Sequence, residues 1–187
     1  MTAFTTEKID VEPWFDMELF MGVSQETRLG GDVMERFMAL WKNWLPHLTV
    51  KGIDTGKIKY LLVALDEAVE QDVDKAWESS PSNAFLYNAL AQTMCMAAVQ
   101  EVLPQVEDAG CAPAPRPTEA LREALSGLGL EYREDAPTLN RRFALVTHYP
   151  FKGGCEICHL QSNCPKGQGK SEAASVVLPG YEQGADE

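Results

Sequence analysis

The sequence is poor in positive charge, in histidine and in long hydrophobic runs. Its 187 residues include 16 lysines and arginines against 28 aspartates and glutamates, with three histidines and a net charge of −12. This charge disfavours nucleic acid and anionic membranes as partners. No apolar stretch approaches the roughly 20 residues of a transmembrane helix, and the first residues lack the pattern of a secretory signal. We therefore expect a cytoplasmic protein.

Familiar catalytic and nucleotide-binding motifs are also missing. The sequence contains no P-loop, no G-x-G-x-x-G, no H-E-x-x-H and no G-x-S-x-G. Catalytic residues can still assemble in space from distant positions, so this absence does not exclude an enzyme. The absence of these motifs favours a role other than catalysis.

What the sequence does contain is apolar spacing typical of helices, which predicts about four of them. The first is capped by Asp32 and ended by Pro46, the second is capped by Asp54 or Thr55 and runs through Trp77, the third spans about 84–103 and the fourth 118–126. The third is apolar on nearly every side, so we expect it to be the buried central helix of the core.

The pattern changes after the fourth helix. Residues 130–133 and 142–147 alternate in hydrophobicity and are richer in β-formers, which predicts a short β-hairpin. The predicted fold class is therefore α-rich α+β. We divide the chain into a helical core with the hairpin (1–149), a cysteine loop (150–169) and an acidic, flexible tail (170–187).

Three of the five cysteines crowd into ten residues near the end of the chain. Cys155, Cys158 and Cys164 have the spacing C-x2-C-x5-C, preceded by two glycines and followed by Pro165. An odd number of cysteines clustered in this way indicates metal ligation rather than a disulfide framework. The short gap lets two thiolates reach adjacent irons, and the longer gap lets the chain wrap around a cluster. A Cys-Pro ending also occurs in bacterial ferredoxins.

This loop resembles the iron–sulfur loop of the endonuclease III and adenine-glycosylase family, and part of the cluster staple of RecB-like nucleases. The resemblance covers about a tenth of the chain and implies cluster binding. It does not extend to the helix-hairpin-helix or the catalytic residues of glycosylases, so DNA repair is not implied. In the glycosylase loop a fourth cysteine precedes the triplet with six residues between them, and His148 occupies that position here.

A [4Fe-4S] cluster usually takes four cysteines, so a fourth ligand is needed. Cys111 is our first choice, because it lies in a proline-rich connector where an exposed thiol would otherwise be a liability. Cys95 is second, since its helical neighbours are those of an inert buried cysteine. His148 is third. The predicted metal site is thus Cys111, Cys155, Cys158 and Cys164.

The predicted function is electron transfer, or a redox accessory role, with a partner that presents a basic surface to this acidic chain. Three alternatives stay open. Zinc could staple the C-terminal segment of a structural or interaction protein, although zinc sites usually pair two couples of ligands. Cys155-x-x-Cys158-His159 also matches the c-type haem signature, which leaves Cys164 without a role. Finally, three cysteines alone would leave an open iron site suited to an enzyme.

Overall fold

A computed structural model describes residues 4–134 and 138–164. The predicted acidic tail at 170–187, and Pro165 after the last cysteine, lie outside the described residues. The helices are α1 (Met17–Ser24), α2 (Gly31–Trp44), α3 (Glu67–Ser79), α4 (Pro81–Val102), α5 (Gln105–Ala109) and α6 (Glu119–Ser126). The strands are β1 (Thr5–Lys8), β2 (Leu48–Asp54), β3 (Lys59–Leu65) and β4 (Ala144–His148).

The four strands form one antiparallel sheet in the order β1-β2-β3-β4. The predicted α+β class is therefore confirmed, although the described residues hold six helices and a four-stranded sheet rather than about four helices and a hairpin. Three 3-10 turns complete the structure, at Leu45–His47, Cys155–Ile157 and Gln161–Asn163.

Strand β3 has a hydrophobic core on each side of it. Leu61, Val63 and Leu65 join the larger core, which α1 to α4 supply from one face of the sheet. Tyr60 and Leu62 join a second core, which α6 and the chain after it supply from the other face. Because side chains alternate along a strand, burial on both faces requires a continuous apolar run.

The predicted second helix, from Asp54 or Thr55 to Trp77, is wrong in its first half. Residues 59–65 form β3, and the helix α3 begins only at Glu67. Asp66 caps α3 by accepting a hydrogen bond from the Ala68 N–H at 2.9 Å. The error arose because a continuous apolar run contains residues at helical spacing as well as at strand spacing.

The predicted hairpin is also wrong in its pairing. The second segment does form β4, but β4 pairs with β3, so that Val146 lies opposite Leu62. Residues 130–133 form no strand, and Tyr132 makes only an isolated bridge to Leu139. The true hairpin joins β2 to β3. Long-range pairing is decided by packing on both faces, which a local pattern does not reveal.

Helix boundaries were predicted better than strands. Ser80 caps α4, with Pro81 in its first turn, and Thr118 caps α6 through the Leu121 N–H. The cap assigned to Asp32 is wrong, because Gly30 is the N-cap of α2 and Asp32 lies in its first turn. There an acidic side chain is favoured by the helix dipole rather than by capping.

Helix α4 buries side chains on several sides and packs against α1, α2, α3, α5 and β3. Its alanines at 84, 89, 91 and 98 allow close approach of these neighbours. No helix among residues 4–134 and 138–164 is long and apolar enough to cross a membrane.

We expect Leu61→Ala and Leu62→Ala, made separately, each to lower the free energy of unfolding by about 2–5 kcal/mol. The reason is that the two side chains are 0% and 2% exposed and enter different cores. Urea unfolding followed by circular dichroism measures both. Met38→Ala on α2 is the control, because Met38 is 50% exposed. A large effect at only one of the two leucines would contradict burial on both faces.

Candidate metal centre

The cysteine loop leaves the sheet directly from β4. After His148 come Tyr149 and Phe151, whose side chains pack against the larger core. The peptide bond between Tyr149 and Pro150 is cis. Gly153 then adopts a φ of +141°, which favours glycine because other residues rarely adopt it. The core contacts therefore fix where the loop starts, and Gly153 supplies the backbone conformation that the chain needs just before Cys155.

The loop itself is built from two short turns. The Cys158 N–H donates to the Cys155 carbonyl at 3.2 Å, and the Gln161 N–H donates to the Cys158 carbonyl at 3.2 Å. A third bond of the same kind runs from the Cys164 N–H to the Gln161 carbonyl at 3.3 Å. All three loop cysteines thus take part in one series of backbone hydrogen bonds.

Glu156 closes the first turn. Its carboxylate accepts a hydrogen bond from the Gly154 N–H at 2.9 Å. Backbone hydrogen bonds from Glu156 itself and from Gly154 lower the pKa of the Glu156 carboxyl. The carboxylate therefore accepts hydrogen bonds from backbone N–H groups of the first turn, and these bonds help to shape it.

A proline-rich connector, residues 111–117, runs beside this loop. The Thr147 hydroxyl on β4 donates to the Pro113 carbonyl at 2.9 Å, and the His159 N–H donates to the Ala114 carbonyl at 2.8 Å. The first bond fixes the connector to the sheet, and the second fixes the cysteine loop to the connector. The segment that begins with Cys111 is thereby held next to the loop.

Cys95 lies elsewhere. It is 3% exposed on α4, and its thiol is 3.6 Å from the Phe143 carbonyl, to which it donates. Burial raises the pKa of the Cys95 thiol to about 12, and a hydrogen bond with the Leu65 backbone offsets this only partly. Since the thiolate is the metal ligand, a thiol held protonated between helix and sheet is a poor donor.

His148 is the last residue of β4 and faces the second core. Its ring lies 5.8 Å from the Tyr60 ring, centroid to centroid. Desolvation, with a smaller contribution from Lys152, lowers the pKa of the imidazole and so favours the neutral ring. Its Nδ1 is buried without a hydrogen-bond partner among the described residues. A neutral ring with an unused nitrogen keeps His148 available as a ligand.

The three loop cysteines and Cys111 are all partly exposed, and none of the five cysteines forms a disulfide. Within residues 4–134 and 138–164, however, no three Cys, His, Asp or Glu side chains converge tightly enough to hold a metal ion. The residues therefore supply the thiol donors that an iron–sulfur cluster takes, while this conformation does not assemble them into a ligand cage.

The residues that position the predicted ligands were not found from the sequence. Thr147, Pro113 and Ala114 act through a hydroxyl and two backbone carbonyls. A backbone carbonyl is present at every residue, so no sequence pattern marks the ones that are used. Only the alternation of β4 placed Thr147 on one face of a strand.

Comparison of the chain with protein-family profiles, with curated protein sequences and with solved structures finds no significant match.

We expect iodoacetamide at about pH 8 to modify Cys155, Cys158 and Cys164 in the folded metal-free protein and to leave Cys95 unmodified. The pKa of about 12 and the burial of Cys95 both suppress thiolate formation and access. Peptide mass spectrometry reads the modification at each cysteine. The same reaction in urea is the control and should modify Cys95 as well. Rapid modification of Cys95 in the folded chain would contradict its placement.

Proposed function

We propose that the chain binds a [4Fe-4S] cluster through Cys111, Cys155, Cys158 and Cys164, and serves as an electron-transfer protein or redox accessory subunit in the cytoplasm. The hydrogen bond from the His159 N–H to the Ala114 carbonyl carries the proposal. It ties the three-cysteine loop to the connector that begins at Cys111, so the fourth thiol needs no rearrangement of the core to approach the other three.

The exposure of the thiols supports the same set of ligands. Cys155, Cys158, Cys164 and Cys111 are half-buried, whereas Cys95 is buried and held protonated by desolvation. Cluster ligation requires thiolates, and partly exposed thiols lose their protons at a smaller cost. Cys95 would also have to leave a filled core. Cys111 is therefore the better fourth ligand. His148, the last residue of β4, is the alternative.

The backbone of the cysteine loop is suited to a bound iron–sulfur cluster. A bound cluster would supply one-electron chemistry, and its potential depends on hydrogen bonds to its sulfurs and on solvent exposure. Gly153 and Gly154 allow the backbone to approach closely before Cys155. The turns at Cys155–Ile157 and Gln161–Asn163 hold the cysteines near the surface, where a partner can approach.

The negative charge near α5 supports the proposal that the partner has a basic surface. Glu12, Asp16, Glu101 and Glu107 surround one cleft beside Trp14, which is 71% exposed. Glu107 lies on α5, which leads through Gly110 to Cys111. Acidic groups near a redox centre raise the rate of encounter with a basic partner, an effect that salt screens.

The cysteine series tests the proposal. Protein purified without oxygen should contain about four irons per chain and absorb as a [4Fe-4S] protein. Cys155→Ser, Cys158→Ser, Cys164→Ser and Cys111→Ser should each lose most of the iron, because each removes a thiolate ligand. Cys95→Ser is the matched control and should keep it, since Cys95 lies in the core. Iron, sulfide and absorption are measured for all five variants.

Three results would argue against the proposal in different ways. Iron near wild-type level in all the loop variants would rule the site out. Loss of iron in Cys95→Ser together with retention in Cys111→Ser would move the site to α4. A colourless protein that contains zinc would replace the redox role with a structural one. If Cys111→Ser keeps its iron while His148→Ala loses it, the fourth ligand is His148.

Removing the metal should disturb the loop and spare the helices. The helices bury their own apolar faces in two cores, whereas residues 150–164 contribute few core side chains. After chelation we expect helical circular dichroism to change little and amide exchange in 153–164 to rise at least tenfold. Amides of α4 are the internal control. Unfolding of the whole chain on chelation would show that the metal supports the core as well.

A further inference from the structure

A cleft of about 610 Å³ lies along the outer edge of β4, the last strand of the described sheet. Its floor is the strand itself, at Ala144 and Val146, and the connector forms one wall at Ala114 and Pro115. Leu139 stands on the opposite side. A volume of this size is typical of a binding site, and both apolar and charged side chains line it. None of the cysteines lines it.

The backbone of β4 offers hydrogen-bonding groups to this cleft. The Phe143 carbonyl accepts from the Leu65 N–H of β3 at 2.8 Å, so Phe143 and, two residues on, Leu145 face β3. In an antiparallel ladder the backbone N–H and C=O groups of the residues between them point away from the paired strand. The N–H and C=O groups of Ala144 and Val146 therefore face the cleft, where the described residues form no backbone hydrogen bond with them.

Arginines gather at the same cleft. Among the described residues, Arg133, Arg141 and Arg142 line it together with the carboxylate of Glu70, in a chain whose net charge is −12. Arg142 is paired with Asp74 at 2.8 Å. These cations make the cleft an exception to the acidic character of the chain.

Arg141 forms a longer ion pair than Arg142 does. Its side chain is only 28% exposed, yet its Nε lies 3.9 Å from the Glu70 carboxylate, beyond hydrogen-bonding distance. At this exposure the guanidinium can be reached from the cleft that Arg141 lines. Arg141 thus has donors available for a carboxylate, which guanidinium groups bind in a bidentate manner.

We propose that this cleft binds an extended peptide segment that carries an acidic side chain. The segment adds a strand to the outer edge of β4, with its backbone bonded to Ala144 and Val146 and its carboxylate bonded to Arg141. The unpaired edge of β4 supports strand addition, and Arg141 supports an acidic side chain in the added segment. The apolar wall of Ala114 and Pro115 accepts a side chain of the segment. This inference is independent of the cluster, because it needs no metal.

A degenerate peptide pool tests it. The probe is a set of labelled seven-residue peptides without cysteine, random except for a central Asp or Glu, with matched pools that carry a central Asn or Lys. Retention on immobilised full-length protein is measured. We expect the acidic pool to be retained at least threefold over the other two. Arg141→Ala should remove this preference, because the carboxylate loses its partner, and Arg36→Ala on α2 should keep it. Circular dichroism checks that both variants fold.

Two results overturn the proposal. Equal retention of the three pools on the wild-type protein excludes an acidic peptide, and an acidic preference that survives in folded Arg141→Ala places it outside this cleft. The most strongly retained peptide then tests strand addition. N-methylation of alternate amides in one register should abolish its binding, because those amides would donate to β4, while methylation in the other register should not. Binding that tolerates both series excludes a strand at the edge of β4.

Discussion

Burial of β3 on both faces is the constraint on which the rest of the structure depends. Its alternating side chains enter two separate cores, so the helices α1 to α4 must cover one face of the sheet and α6 the other. The chain therefore has to cross from one face to the other between α5 and α6. It does so around the outer edge of β4, and the residues that make the crossing are the proline-rich connector 111–117.

The crossing brings the chemically distinctive residues to one edge of the sheet. The connector is fixed to β4 through Thr147, and the cysteine loop, which leaves the same strand, is fixed to the connector through His159. The connector that begins at Cys111 and the cysteine loop are neighbours for this reason, although more than 40 residues separate Cys111 from Cys155. The arginine-lined cleft lies along the same edge, where the last strand of the described sheet presents backbone groups that no neighbouring strand pairs.

Local signals in the sequence predicted local features well. The predicted third and fourth helices, at about 84–103 and 118–126, depend on neighbouring residues, and the structure has them as α4 and α6 with slightly different ends. The second predicted helix failed because Tyr60 to Leu65 is apolar at every position, and such a run fits a buried strand and a buried helix alike. The hairpin failed because β4 pairs with a strand some 80 residues earlier, which no neighbouring residue records.

The sequence by itself determined the α+β class, the acidic charge and the spacing of the three cysteines, since each is a property of composition or of adjacent residues. Tertiary structure decided which other residues stand near those cysteines. It buried Cys95 and raised the pKa of its thiol, and it placed the connector with Cys111 beside the loop. The physical reason is that desolvation and backbone hydrogen bonding depend on neighbours in space, which the folding of both cores around β3 creates.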